Sequence, residues 1–173
     1  MQKVKLPHQL DPSKCALKRL SYQGVILAAQ FQRLNEAVVA VIGEAQVALE
    51  FRKDEQGLVC MDGRCSVEVE LNCQRCNENF SELLSAEFTY SPVKSEADIA
   101  ELPDAYEPLE LNEYNEFEVK ALIEDELILA LPIIALHDEA VCKASQDKMQ
   151  WGEIAEEDSK PNPFAVLKDL KRN

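Results

Sequence analysis

The chain is poor in glycine, histidine and tryptophan, with five, two and one of them in 173 residues. So few glycines leave no glycine-rich run that could cradle a phosphate on backbone N–H groups. The two histidines, His8 and His137, belong to no H-E-x-x-H, and no G-x-S-x-G or Ser/His/Asp arrangement is present. Neither an enzyme nor a small-molecule substrate is therefore expected. No apolar run approaches the roughly 18 residues of a membrane helix. The opening "MQKVKLPHQL" lacks the apolar core of a signal peptide, so the expected location is the cytoplasm, with no membrane partner. Basic charge is also short. Lysine and arginine number 18 against 32 acids, for a net charge of −14. Phosphate binding works by Lys and Arg displacing counterions, so broad affinity for nucleic acid is excluded.

The charge is unevenly spread. Residues 1–35 carry six basic groups against Asp11, for +5, whereas residues 96–160 sum to −15. The tail from Pro161 returns to +2. Lys3, Lys5, Lys14, Lys18 and Arg19 in the head, with Arg75 further on, are the candidate contacts for RNA or another partner. Lys168, Lys171 and Arg172 would extend a basic strip if the two ends meet. The acidic stretch could instead steer a basic protein.

The middle of the chain reads as β. "AQVALEFR" turns Val47, Leu49 and Phe51 to one side, "DEQG" is turn chemistry, and "SVEVELNC" does the same with Val67, Val69 and Leu71. Within "CMDGRC", Asp62-Gly63 signals a tight hairpin that would bring Cys60 and Cys65 together across strands. A bulge inside one longer strand is the competing reading. "FSELLSAEFTYSPV" continues as a strand to Pro92. Short helices are expected at both ends. One follows Asp11 or Ser13, with Ala16, Leu17 and Leu20 as its stripe and Gly24 as its end. The other lies in "NPFAVLKDLKR", with Asn162 as cap. "AAQFQRLNEAVVAVIG" is ambiguous between helix and strand. Residues 95–115 read as an acidic, mobile loop and 145–162 as a polar segment. The clearest helix spans 116–131, with Asn115 and Glu118 as a capping box and Pro132 as its stop. One α+β domain over 1–173 follows: a mostly antiparallel twisted sheet packed against one long helix, with short terminal helices.

Six cysteines do not make a disulfide framework here, because that reading needs a small secreted chain. They are expected to be reduced. Cys73 and Cys76, in "LNCQRCNENF", have the spacing at which one zinc takes two thiolates from a single turn. Asn77 follows as a residue tolerant of positive φ. His137 and Cys142, spaced H-x4-C after the long helix, are the natural second pair. A redox pair needs a helix N-terminus after the motif, and none is evident at Asn77. Two ordinary buried thiols are the remaining reading.

The blocks "MQKVKLP", "LNCQRC", "SPVKSEADIAELPDAYEPLELNE", "EDELILALPIIALHD" with its Cys142, and "KPNPFAVL" are ordered and specific. Through them the chain resembles the YceD family of bacterial proteins, which has plant plastid members, over almost its whole length. The resemblance implies a non-enzymatic factor in the synthesis, processing or stability of 23S rRNA, and so in large-subunit biogenesis. Its partner would be a large-subunit assembly component, either a basic ribosomal protein or the 23S rRNA precursor. The rival class is a thiol- or zinc-dependent redox or processing enzyme built on Cys73 and Cys76. The C-x-R-C element is the family's most characteristic motif. Many relatives carry a further cysteine cluster after the long helix, which would complete a zinc site, whereas this chain offers His137 and Cys142. Its four positions are thus candidate zinc ligands, or the remnant of a site that packs without metal.

Overall fold

The computed structural model describes residues 6–144. The elements are β1 (Gln9–Leu10), α1 (Pro12–Leu17), β2 (Ser21–Leu27), a 3-10 turn (Ala28–Gln30), α2 (Gln32–Ala37), β3 (Ala40–Lys53), β4 (Val59–Asn72), β5 (Asn79–Val93), α3 (Glu96–Glu101), β6 (Glu107–Glu110), β7 (Phe117–Glu118) and α4 (Val119–Leu129). Five strands form one sheet in the order β2-β3-β4-β5-β6, and β1 pairs with β7 beside it. Every pairing in the larger sheet is antiparallel except β5 with β6. The α+β architecture with a mostly antiparallel sheet is as expected. The C-terminal helix, Lys3, Lys5 and the polar segment 145–162 lie outside the described residues.

Period-two patterning decides which face is buried. Val47, Leu49 and Phe51 on β3 stand beside Cys65, Gly63 and Met61 on β4 and Ala86, Phe88 and Tyr90 on β5. Helices α1 and α4 cover this face, with α2 packed against α4. Cys15 and Ala16 of α1, Leu34 of α2, and Val119, Ile123 and Leu127 of α4 complete the core with Phe31 and Phe117. Gly43 (φ +71°) sits where the β3–β4 register slips between Ile42 and Gln46, a bulge that bends the long hairpin.

Several local expectations need correction. Cys60 and Cys65 are not hairpin neighbours, because β4 runs unbroken through Asp62-Gly63. An odd separation along one strand puts their side chains on opposite faces. The reversal comes earlier, where the Asp54 carboxylate accepts from the N–H groups of Gln56 and Leu58. Residues 95–115 are not all loop. Ser95 and Asp98 form a capping box for α3, and β6 anchors on buried Leu109. A parallel neighbour for β5 requires a crossover, and α3 lies in it. The helix expected at 116–131 is the eleven-residue α4, beginning at Val119. Asn115 (φ 59°) does not cap it. The Asn112 side chain binds the N–H groups of Tyr114 and Glu116 in a turn that ends before β7. Gly24 lies inside β2, and Leu17 of α1 is exposed.

Two carboxylates of α4 are buried and partnered. Glu124 accepts from the Leu34 N–H (3.1 Å) and pairs with Arg33 (3.5 Å), tying α2 to α4. Glu126 accepts a hydrogen bond from the Tyr90 hydroxyl on the core face of β5. Burial raises the Glu126 pKa above its ordinary 4.5, and this outweighs the downward pull of the Tyr90 hydroxyl. A carboxyl whose folded pKa is raised stabilises the fold when protonated. That advantage is lost as pH rises from the unfolded value through the folded one. Glu126→Gln keeps an acceptor for Tyr90 and abolishes the ionisation. Its melting temperature is expected to exceed that of the wild type at pH 7, with the difference closing below about pH 4.5. A thermal-unfolding series from pH 4 to 8 reads this directly, and a pH-independent difference would contradict it.

Candidate metal centre

The odd-numbered side chains of β4 face the core, so the alternation that buries Val67, Val69 and Leu71 carries Cys73 to the same side at the strand's end. The β4–β5 connection then makes a tight knuckle. The Cys73 N–H donates to the Glu78 carbonyl (2.9 Å) and the Asn77 N–H to the Cys73 carbonyl (2.8 Å). Asn77 has φ 59°, the left-handed conformation expected after the second cysteine. The Asn72 amide ties the base of the turn to the Asn77 carbonyl (3.1 Å) and to Asn79 (3.2 Å).

The segment after α4 folds back over this knuckle. The Gln74 N–H donates to the Ala135 carbonyl (2.9 Å), and the Arg75 guanidinium donates to the His137 carbonyl (2.9 Å) and to Glu139 (3.0 Å). The His137 ring rests edge-on against Phe80 of β5, centroids 5.5 Å apart. A turn at Asp138, whose carboxylate accepts from the Ala140 N–H, lifts Cys142 inward. The Cys142 N–H bonds the Asp138 carbonyl at 3.1 Å. A Glu78–Lys143 ion pair closes the rim.

The result is a cluster of Cys73, Cys76, His137 and Cys142 whose ligand atoms all lie within 4.8 Å of one another. Cys73 and Cys142 are fully buried, while Cys76 and His137 are half-buried. The Cys76 sulfur stands 3.8 Å from Nε2 of His137. Burial alone would push the Cys73 thiol up. The backbone N–H groups of His137, Cys76 and Arg75 overcome it and bring the pKa down to about 6. Burial pushes Cys76 the other way, and the neighbouring thiols of Cys73 and Cys142 add to the rise. Closely placed thiols cannot all ionise without a cation among them. Arg75 supplies one positive charge at the edge, and its buried Nε has no hydrogen-bond partner. Three thiols and an imidazole that converge from opposite sides are a zinc donor set, and this cluster can hold a metal ion.

The pairing of the C-x-x-C with His137 and Cys142 is as the spacing suggested. Arg75, read from sequence as a partner contact, is turned inward, its side chain only 16% exposed. Lys14, Lys18 and Arg19 are exposed on and after α1, where Lys14 pairs with Asp11 (2.9 Å). The sequence reading missed Asn72, Phe80 and the Glu78–Lys143 pair, although the asparagines crowding "LNCQRCNEN" were a visible sign of turn-locking side chains. The C-x-x-C lies between two strands, not at the helix N-terminus that lowers thiol pKa values in redox pairs.

A family model described as "Large ribosomal RNA subunit accumulation protein YceD" matches residues 61–171, which spans the knuckle, α4 and Cys142. The chain belongs to the YceD family. A relative of the same name from Haemophilus influenzae is 49% identical over 173 residues, covering 99% of each chain. No solved structure matches the chain. Among the described residues, no helix is long and apolar enough to cross a membrane.

Proposed function

We propose that this chain is a non-enzymatic factor in the accumulation of large-subunit ribosomal RNA. It would act in the cytoplasm, as one domain over residues 1–173, on the synthesis, processing or stability of 23S rRNA. The observation that carries this reading is the 49% identity, over 99% of both chains, to a protein named for that role. The proposed contact is with a component of large-subunit assembly, either a basic ribosomal protein or the rRNA precursor. Cys73, Cys76, His137 and Cys142 are proposed as ligands of one structural zinc. Four protein donors, two of them fully buried, suit a closed structural site and not a catalytic one, which keeps a position open for water. Such a staple would join the β4–β5 knuckle to the segment after α4 and hold the surface between them in one shape.

The test is deletion of the gene in its host, with the ratio of 23S to 16S rRNA followed during growth. The expected result is a fall in that ratio, restored by the wild-type gene. An unchanged ratio would refute the proposal.

A further inference from the structure

The face of the sheet opposite the helices is hollowed where a solvent-facing sheet is ordinarily filled by long side chains. Two adjoining cavities, of about 520 and 870 Å³, share Gln23, Ala48, Arg64 and Glu87. The register explains their depth. Gln46, Ser66 and Ser85 stand side by side across three strands, as do Ala48, Arg64 and Glu87. Ala48, Ser66 and Ser85 are too short to fill the floor.

The walls carry one sign of charge. Glu50, Asp62, Glu87 and Asp104 line the smaller cavity against Arg64 alone, while the Glu107 carboxylate faces the Tyr90 hydroxyl on the other side of the sheet. Asp62 is already held by Arg52 (2.6 and 3.2 Å) and by the Thr89 hydroxyl (3.0 Å). No Lys or Arg among the described residues forms an ion pair with Glu50, Glu87 or Asp104.

We propose that this open face is a docking groove for a Lys/Arg-rich extended segment of a partner protein. The proposal rests on the reading that the chain works through a partner, and it places that partner. Charge complementarity selects the occupant: carboxylates focused in a hollow attract guanidinium or ammonium groups and repel phosphates. Shape selects its conformation. Four strands span about 14 Å, room for four or five extended residues over the short floor. An Arg or Lys side chain would descend between Glu50, Glu87 and Asp104.

The experiment uses the full chain and a fluorescein-labelled ten-residue peptide of alternating Arg and Ser, followed by anisotropy at about 0.15 M salt, where the Debye length is about 8 Å. Replacing Glu50 and Glu87 with Gln and Asp104 with Asn is expected to weaken binding about tenfold. A charge-matched control, with Gln at Glu36, Glu55 and Glu82, should weaken it less than threefold, because screening confines the effect to nearby charges. Ser85→Lys sets a cation on the floor and should weaken binding as much as the groove variant, with an unchanged melting temperature confirming the fold. Equal losses in groove and control variants, or a neutral Ser85→Lys, would show that only net charge matters and overturn the proposal. A labelled 23S rRNA hairpin bound as tightly as the peptide would overturn the choice of occupant. The rRNA ratio in the deletion strain tests the function separately. If that ratio is unchanged while the groove variants lose the peptide, the docking surface stands and only the functional reading falls.

Discussion

Protein purified without chelator is expected to carry about one zinc per chain, and stripping it should lower the melting temperature by roughly 10 °C. The ligands come from two places in the chain, Cys73 and Cys76 in one and His137 and Cys142 in the other. A link across a span of that length removes about 4 kcal/mol of chain entropy from the unfolded state, taking the disulfide relation as a guide. For a chain of this size, 1 kcal/mol moves the midpoint by roughly 2–4 °C. Cys73→Ser and Cys142→Ser should each abolish stoichiometric zinc and reproduce the chelated state, since a closed site missing one thiolate binds far more weakly. Elemental analysis and thermal unfolding, with and without chelator, measure both quantities. X-ray absorption should place sulfur about 2.3 Å from the metal. Metal-free protein with a melting temperature indifferent to chelator would instead identify the cluster as a remnant that packs alone.

Gly63→Ala is expected to cost about 2–4 kcal/mol, an unusually large effect for one methyl group. A Cβ at Gly63 would lie 1.9 Å from Cε2 and 2.2 Å from Cζ of Phe88. The Phe88 ring is buried on the core face of β5 directly opposite this residue, with Tyr90 beside it at 5.5 Å. Neither the strand nor the ring can give way without disturbing Leu49 and the helices above. Phe88→Ala alone opens a cavity and should cost about 3–5 kcal/mol. Combined, the two changes should cost clearly less than their sum, because the clash disappears with the ring. Urea unfolding of the four proteins in this cycle measures the coupling. Strict additivity would mean that the ring does not occupy the space above Gly63.

That glycine also shows where sequence reasoning stopped. Asp-Gly signals a hairpin by its local conformational freedom, yet a glycine inside a strand can equally make room for a ring across the ladder. The two are indistinguishable until the partner strand is known. The same limit hid β6, whose one buried anchor, Leu109, lies in a stretch crowded with acids and proline. It also misplaced the start of α4, because Phe117 and Glu118 pair with β1 as a strand and the helix begins only after them. The docking groove was invisible for a related reason. Ala48, Ser66 and Ser85 are unremarkable along the chain and make a floor only when register aligns them.

What the sequence determined by itself was whatever depends on near neighbours. Period-two alternation placed Val47, Leu49, Phe51, Val67, Val69 and Leu71 on one buried face, because successive side chains of a strand must point to opposite sides. The C-x-x-C with Asn77 determined the knuckle, because one turn of fixed length sets both thiols and the positive φ that follows. Tertiary structure alone decided the rest. It seated His137 and Cys142 over Cys73 and Cys76, turned Arg75 inward, and set Cys60 and Cys65 on opposite faces. Each of these outcomes depends on which strands pair and in what register, and that choice is made by burying the shared core and not by any residue's immediate neighbours.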